Sequence, residues 1–355
     1  MTQRYALLEA VLNQDGALAF HRRFIKAKLE APHATLEEIL SVLAPSSAAG
    51  KGQKSADRLS AAHISFTTLL DADYPLMLKH IADPPPVLFY SGELQNLHRP
   101  CISIVGSRST TTYGRQTAKK LAAELARLGF VVVSGLALGV DAAAHQATLE
   151  VSGRTVAVLG TGVDSIYPRE HRPLAVDIVR NQGTVISEFI PGVTPRPFHF
   201  PVRNRIISGL AHATIVVEAK EKSGSLITAR HCLDQGRELF AVPGPIHHET
   251  SAGPNGLIDR GEARALLSVS SVLEQLQPLL GLAANHEQRV KQKIEDPLAQ
   301  KIYEKLDAFQ PLPLDLLVTE LGEDTGTVIS RLVQLESLNL VESRPGQQYV
   351  RNPVV

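Results

Sequence analysis

Between Phe200 and Ala229 the sequence reads FPVRNRIISGLAHATIVVEAKEKSGSLITA, with polar clusters on both sides of an apolar run. Arg203, Asn204 and Arg205 come first, on a helix opened by Pro201. Lys222 and the small residues Ser223-Gly224-Ser225 follow Ala213–Ala219, whose centre Ile215-Val216-Val217 has the character of a buried strand. A strand, a small-residue loop and a helix start together make an anion seat, because free backbone N–H groups and the positive helix end point the same way. Two guanidinium groups before the strand and an ammonium after it call for a phosphate-bearing partner.

Other short stretches compete for a chemical role. Val105-Gly106-Ser107-Arg108 lacks the G-x-G-x-x-G spacing, and no acidic residue closes the second strand to hold a ribose. Arg108 is therefore either a solvated residue on a tight turn or an anion-binding arginine at a strand end. Ser134, Asp141 and His145 could form a Ser/His/Asp set. No G-x-S-x-G elbow accompanies them, so the expectation is that Asp141 caps a helix and His145 packs behind it. Arg203-Asn204-Arg205 has two readings: an ion-pair hub with Glu188 and Glu218, or one wall of a cationic groove shared with Arg108 and Lys222. Tyr167-Pro168 and Phe198-x-Phe200-Pro201 set aromatic rings beside Arg169, Arg196 and Arg203. Such rings either stack bases, for roughly 1–3 kcal/mol each, or anchor the core and loops. No catalytic residue, metal cluster or cofactor is expected at this site.

The elements that must position these residues alternate along the chain. Strands are expected at Cys101–Val105, Phe130–Ser134, Thr155–Leu159, Thr184–Ser187, Thr214–Glu218 and Glu238–Val242, with helices between them, such as Gly114–Leu128 and Asp141–Leu149. Continuous apolar strands separated by helices predict an α/β domain, a Rossmann-like, doubly wound, mostly parallel sheet covered on both faces. In such sheets ligands bind beyond the carboxyl ends of the strands. Gly106-Ser107-Arg108, Ser134-Gly135, Gly160-Thr161-Gly162, Ser187-Glu188 and Lys222–Ser225 all fall there. Residues 1–70 predict a small helical (SAM-like) module whose pattern is broken by a loop at Pro45–Gly52, and residues 71–280 the Rossmann-like domain. Residues 281–296 predict a linker, and residues 297–355 a winged helix: helices at Leu298–Phe309, Leu314–Leu321 and, capped by Asp324, Thr325–Leu335, then a hairpin.

Charge is balanced overall, with 36 Lys/Arg and 36 Asp/Glu in 355 residues, but it is unevenly spread. Cys101–Leu210 holds 12 Lys/Arg against 7 Asp/Glu, and Pro297–Val355 holds 5 against 8. The winged helix offers Arg331 as the only cation on its recognition helix, which favours protein contact over a duplex groove. Cys101 and Cys232 read as buried thiols of a reducing compartment. No secretory signal and no apolar run near the roughly 20 residues of a membrane span is present, so a cytoplasmic location without membrane contact is expected.

Seven motifs in order carry a family resemblance: Val105-Gly106-Ser107-Arg108; Ser134-Gly135-Leu136-Ala137-x-Gly139-x-Asp141-x3-His145; Gly160-x-Gly162-x4-Tyr167-Pro168; Ser187-Glu188; Phe200-Pro201-x-Arg203-Asn204-Arg205-x-Ile207; Ser223-Gly224-Ser225-Leu226-x-Thr228-Ala229; and Val242-Pro243-Gly244. Together they resemble the bacterial DNA-processing protein A (DprA, or Smf) family. The resemblance implies a homodimer that binds single-stranded DNA without hydrolysing it, protects incoming strands in natural transformation and helps load the recombinase RecA. It implies nucleic-acid contacts from Ser107, Arg108, Arg203, Asn204, Arg205, Lys222, Ser223, Gly224 and Ser225. Arg260-Gly261-Glu262-Ala263 departs from the family pattern. Two rivals remain. One is a hydrolase resembling the cytokinin-activating phosphoribohydrolases, whose P-G-G-x-G-T-x2-E glutamate is replaced here by Ala229. The other is a duplex-DNA regulator acting through the winged helix.

Overall fold

The computed structural model describes residues 2–13, 23–24, 26–27, 36–44, 49–280, 294, 296–306, 311–338 and 340–351. It divides into two compact units, residues 1–272 and 273–355.

The first unit begins with helices α1 (Thr2–Asn13), α2 (Leu36–Leu43) and α3 (Ala49–Ala61). Helix α3 starts inside the stretch expected to be a loop up to Gly52. It packs so closely on α1 that a Cβ at Gly52 would lie 1.8 Å from the Tyr5 carbonyl oxygen, so that glycine is needed for contact rather than for a turn. Then come β1 (Ser65–Thr68), α4 (Leu76–Lys79), β2 (Val87–Gly92), β3 (Cys101–Val105), α5 (Thr112–Arg127), β4 (Val131–Ser134), α6 (Val140–Glu150) and β5 (Thr155–Val158). The series continues through α7 (Arg172–Arg180), β6 (Thr184–Ser187), α8 (His199–Gly209), β7 (Ala213–Val216), α9 (Gly224–Asp234), β8 (Glu238–Ala241), α10 (Ala252–Asp259) and β9 (Arg264–Ala265), and α11 (Val269–Leu280) follows.

The nine strands form one sheet in the order β1-β2-β6-β5-β4-β3-β7-β8-β9. From β6 through β9 every pairing is parallel, and β2 joins β6, and β1 joins β2, antiparallel. Strands such as VVVS in β4 and ATIV in β7 are buried along their whole length, as helices on both faces require. The expected doubly wound, mostly parallel sheet is therefore present. The chain steps outward from β3 to β6, then crosses back through α8 to place β7 on the other side of β3. The crevice between β3 and β7 is thus the topological switch point, where ligands of open α/β sheets bind. Leu7, Leu8, Leu69, Leu78 and Phe89 share one core with Val131, Val156 and Val216, so the N-terminal helices and the sheet are continuous in packing.

The second unit holds α12 (Pro297–Lys305), β10 (Leu312–Pro313), α13 (Leu314–Leu321), α14 (Thr325–Ser337), β11 (Val341–Arg344) and β12 (Gln348–Arg351). Asp324 accepts from Thr327 N at 3.0 Å and opens α14, as expected. Ile302, Leu317, Val328, Leu332 and Leu335 fill the core beneath the hairpin. This is the winged-helix outline; the expected linker, 281–296, falls mostly outside the described residues. Among the described residues no helix is long and apolar enough to cross a membrane.

Candidate nucleic-acid interface

The loops that leave β3 and β4 are fastened to each other before any cation is placed. Val140 N donates to Ser107 O at 3.2 Å. Gly139 has φ +81°, and a Cβ there would stand 2.2 Å from Ser107 O, so only glycine lets the loops touch. Asp141 does not cap α6 in the expected way. The N-cap position is Gly139, while the Asp141 carboxylate accepts from Gly135 N at 3.0 Å and Ala137 N at 3.3 Å and so ties down the preceding turn. Burial raises its pKa, opposed by Arg203 and by those amides.

Ser134, Asp141 and His145 form no catalytic set. The Ser134 hydroxyl donates to Ile104 O at 2.6 Å. The Thr155 hydroxyl donates to Val132 O, so at 2.7 Å it accepts from His145 Nδ1–H. His145 is fully buried behind α6, and burial, His171 and Arg203 lower its pKa to about 3. It stays neutral at physiological pH.

Helix α8 brings Arg203 and Asn204 to the switch point. Arg203 is 4% exposed; its Nη1 donates to Gly135 O at 2.9 Å and to Val158 O, and its Nε to Asn204 Oδ1 at 3.3 Å. Among the described residues Nη2 has no hydrogen-bond partner; it stands 2.7 Å from where a Gly135 Cβ would be. Burial lowers the Arg203 pKa to about 10, with Asp141 raising it and Arg108 lowering it, so it remains charged at neutral pH. Asn204 Nδ2 donates to Gly224 O at 3.1 Å, tying α8 to the start of α9. Ser223 is the N-cap of α9, its hydroxyl accepting from Ser225 N at 3.4 Å, and the helix presents its positive end to the same space.

These elements enclose a cleft of about 690 Å³. Ser107, Arg108, Arg203, Asn204, Lys222, Ser223, Gly224 and Ser225 all line it. Arg108 and Lys222 are exposed, and among the described residues neither has an acidic partner within ion-pair distance. Arg108 lies over the Phe200 ring at 5.4 Å, and Tyr167 packs on the other edge of that ring at 5.5 Å between centroids. Among the described residues Asp141 is the one carboxylate in the lining, and it is turned to its own loop amides.

Arg205 is the exception. It does not line the cleft: its Nη1 and Nη2 donate to Glu188 at 2.6 and 2.8 Å, and its Nε lies 2.8 Å from Asp83 Oδ2. It is 2% exposed, a buried ion-pair hub rather than part of the groove. Glu218, the other acid suspected of joining such a hub, does not. Burial works against its charge, but Thr111, Thr110 and Thr250 outweigh that and hold its pKa below the usual range. Among the lining residues absent from the expected set are two further cations, Arg196 and Lys220, and two rings, Tyr167 and Phe200. For Arg196 and the two rings the signal was their pairing in sequence, while Lys220, ion-paired with Glu249, gave none.

The family model for DNA recombination-mediator protein A matches residues 65–277, more than half of the chain. The chain belongs to the DprA/Smf family. A DprA winged-helix model matches residues 287–347, so both parts of this DprA/Smf chain have family counterparts. Protein Smf of Escherichia coli is 39% identical over 289 residues, covering 80% of this chain and 77% of that protein. DNA processing protein DprA of Bacillus subtilis is 48% identical over 214 residues, covering 60% and 71%. Among solved structures, DprA from Streptococcus pneumoniae superposes with a TM-score of 0.62 at 35% identity, covering 77% of this chain and 98% of that one. DNA processing protein A from Helicobacter pylori, whose structure is described for its single-stranded DNA binding mode, gives 0.54 at 30% identity, covering 61% and 98%.

Proposed function

We propose that this chain binds single-stranded DNA in the cleft between β3 and β7, without sequence preference and without cleaving it. The observation that carries this reading is the convergence of Arg108, Arg196, Arg203 and Lys222 on one cleft whose only carboxylate is turned inward. Several phosphate contacts along a groove give strong, salt-sensitive binding where one would not. Phe200, beside Arg108, and Tyr167, packed on Phe200, provide a sequence-tolerant stacking surface. The single-strand binding mode described for the Helicobacter pylori relative supports the same choice of partner.

Following the family resemblance, the strand bound is incoming DNA in natural transformation. The chain protects it as a cytoplasmic homodimer and hands it to RecA. The contacting set is Ser107, Arg108, Arg203, Asn204, Lys222 and Ser223-Gly224-Ser225, without Arg205. Titration of oligo-dT at several salt concentrations tests the cleft. The expected slope of log K against log salt is about −0.7 per phosphate contact, several contacts in all. A slope near zero, or release of free base from nucleoside monophosphates, would instead favour the phosphoribohydrolase-like reading.

A further inference from the structure

Arg205 stands two residues beyond Arg203 on α8, about 200° around the helix, so the two guanidinium groups leave opposite sides. One side faces the cleft. The other meets partners from three separate segments. Glu188, just after β6, takes both Nη atoms, at 2.6 and 2.8 Å. Asp83, ahead of β2, accepts Nε with its backbone oxygen at 3.1 Å and faces it with its carboxylate at 2.8 Å. Gln235, at the end of α9, donates to the Arg205 carbonyl at 2.9 Å.

We propose that the Asp83–Arg205–Glu188 clamp is a positioning device for strand binding: it sets the rotation and height of α8 and thereby the depth at which Arg203 and Asn204 enter the cleft. This rests on the strand-binding reading above. Three arguments carry it. A bidentate guanidinium–carboxylate pair fixes direction as well as distance, which apolar contacts on the same helix do not. A buried pair of this kind adds little net stability over apolar packing of equal volume, so its distinctive contribution here is geometric. Arg203 itself is held on the cleft side only by oxygens of Gly135, Val158 and the Asn204 side chain, with no carboxylate pair among the described residues to fix its direction.

The test is a double-mutant cycle on oligo-dT affinity in the full chain. Arg205→Lys keeps the charge and loses the fork. Asp83→Asn weakens the clamp from its partly exposed end, where the Asp83 side chain is 38% exposed. Each is expected to lower affinity about fivefold and to flatten the salt dependence, yet to change affinity less than about twofold in an Arg203→Ala background, because the clamp acts through Arg203. A residue with only a structural role would shift the unfolding midpoint and leave that coupling at zero. The clamp proposal is overturned if folded variants bind as wild type, or if they lose the same factor in both backgrounds. Should Arg205→Lys fail to fold, Asp83→Asn decides. If Arg203→Ala binds as wild type, the cleft reading itself fails, and the clamp's role falls with it.

Discussion

Two places in this molecule have the architecture of a nucleic-acid site: the crest of the parallel sheet and the second helix of the winged helix. They differ in what their cations are doing. On α14, Arg331 lies 2.9 Å from Asp296, and elsewhere in that unit Lys305 pairs with Glu320 at 2.7 Å and Arg344 with Glu342 at 3.1 Å. Ile329 and Val333 are exposed on α14 where a duplex reader would carry donors. At the crest, among the described residues, Arg108, Arg196 and Lys222 have no ion pair, and Arg203 lines the cleft with hydrogen bonds to oxygens of Gly135, Val158 and Asn204 rather than to a carboxylate. Among the described residues, then, the crest gathers unpaired cations in one cleft, whereas the one cation of α14 is already paired. Whether a cation is already neutralised matters more than which fold presents it.

That contrast can be broken in several ways. The largest effect is on stability. His145 is neutral in the folded chain, with a pKa of about 3 against an ordinary 6.5. The unfolded chain takes up a proton first, so stability falls as pH drops below about 6.5, by about 1.4 kcal/mol per pH unit until the folded pKa is reached. His145→Asn, which keeps a donor for Thr155, is expected to flatten this part of a urea-unfolding profile measured against pH. An unchanged profile would mean that another group controls acid sensitivity. Next, Arg203→Ala is expected to weaken oligo-dT binding by about 2 kcal/mol, roughly thirtyfold. Lys222→Glu should weaken it by about 1.5 kcal/mol and Arg108→Ala by about 1 kcal/mol, each removing about 0.7 from the salt slope. Equal affinities across this series would erase the difference between crest and winged helix. The smallest effect is the one expected from Arg331→Ala: a change in single-strand affinity within about 0.3 kcal/mol, because that cation is already paired. A tenfold loss there would move the site to α14.

The parallel sheet was legible because its strands are apolar on both faces and end in Gly and Ser, a pattern that burial under helices imposes. Strand order was not legible, so the crevice between β3 and β7 could be found only once β7 was seen beside β3. In the antiparallel edge β1 was not legible either, since SFTT is short and Phe66 is its one apolar residue. Arg203 and Arg205 could not be told apart in sequence. They are separated by the partners each side of α8 meets, Glu188 and Asp83 on one and the cleft on the other, and those partners are distant along the chain. Asp141 was expected at a helix end for the right chemical reason, a short carboxylate near free amides. The amides it found belong to Gly135 and Ala137, which turn back toward it only when Leu136 takes a positive φ of 58°.

Glu218 follows β7 at its carboxyl end, on the same side of the sheet as the loops that line the cleft. Thr110 Oγ1, Thr111 Oγ1 and Thr111 N surround its carboxylate at 2.7, 2.6 and 2.9 Å. Each of these dipoles turns its positive end toward the carboxylate, which holds the charge in place and partly offsets it. The same three bonds anchor the far end of the segment that begins with Arg108. Replacing both threonines by valine would leave every formal charge in place, yet would uncover a repulsive spot and free an attractive one in a single step.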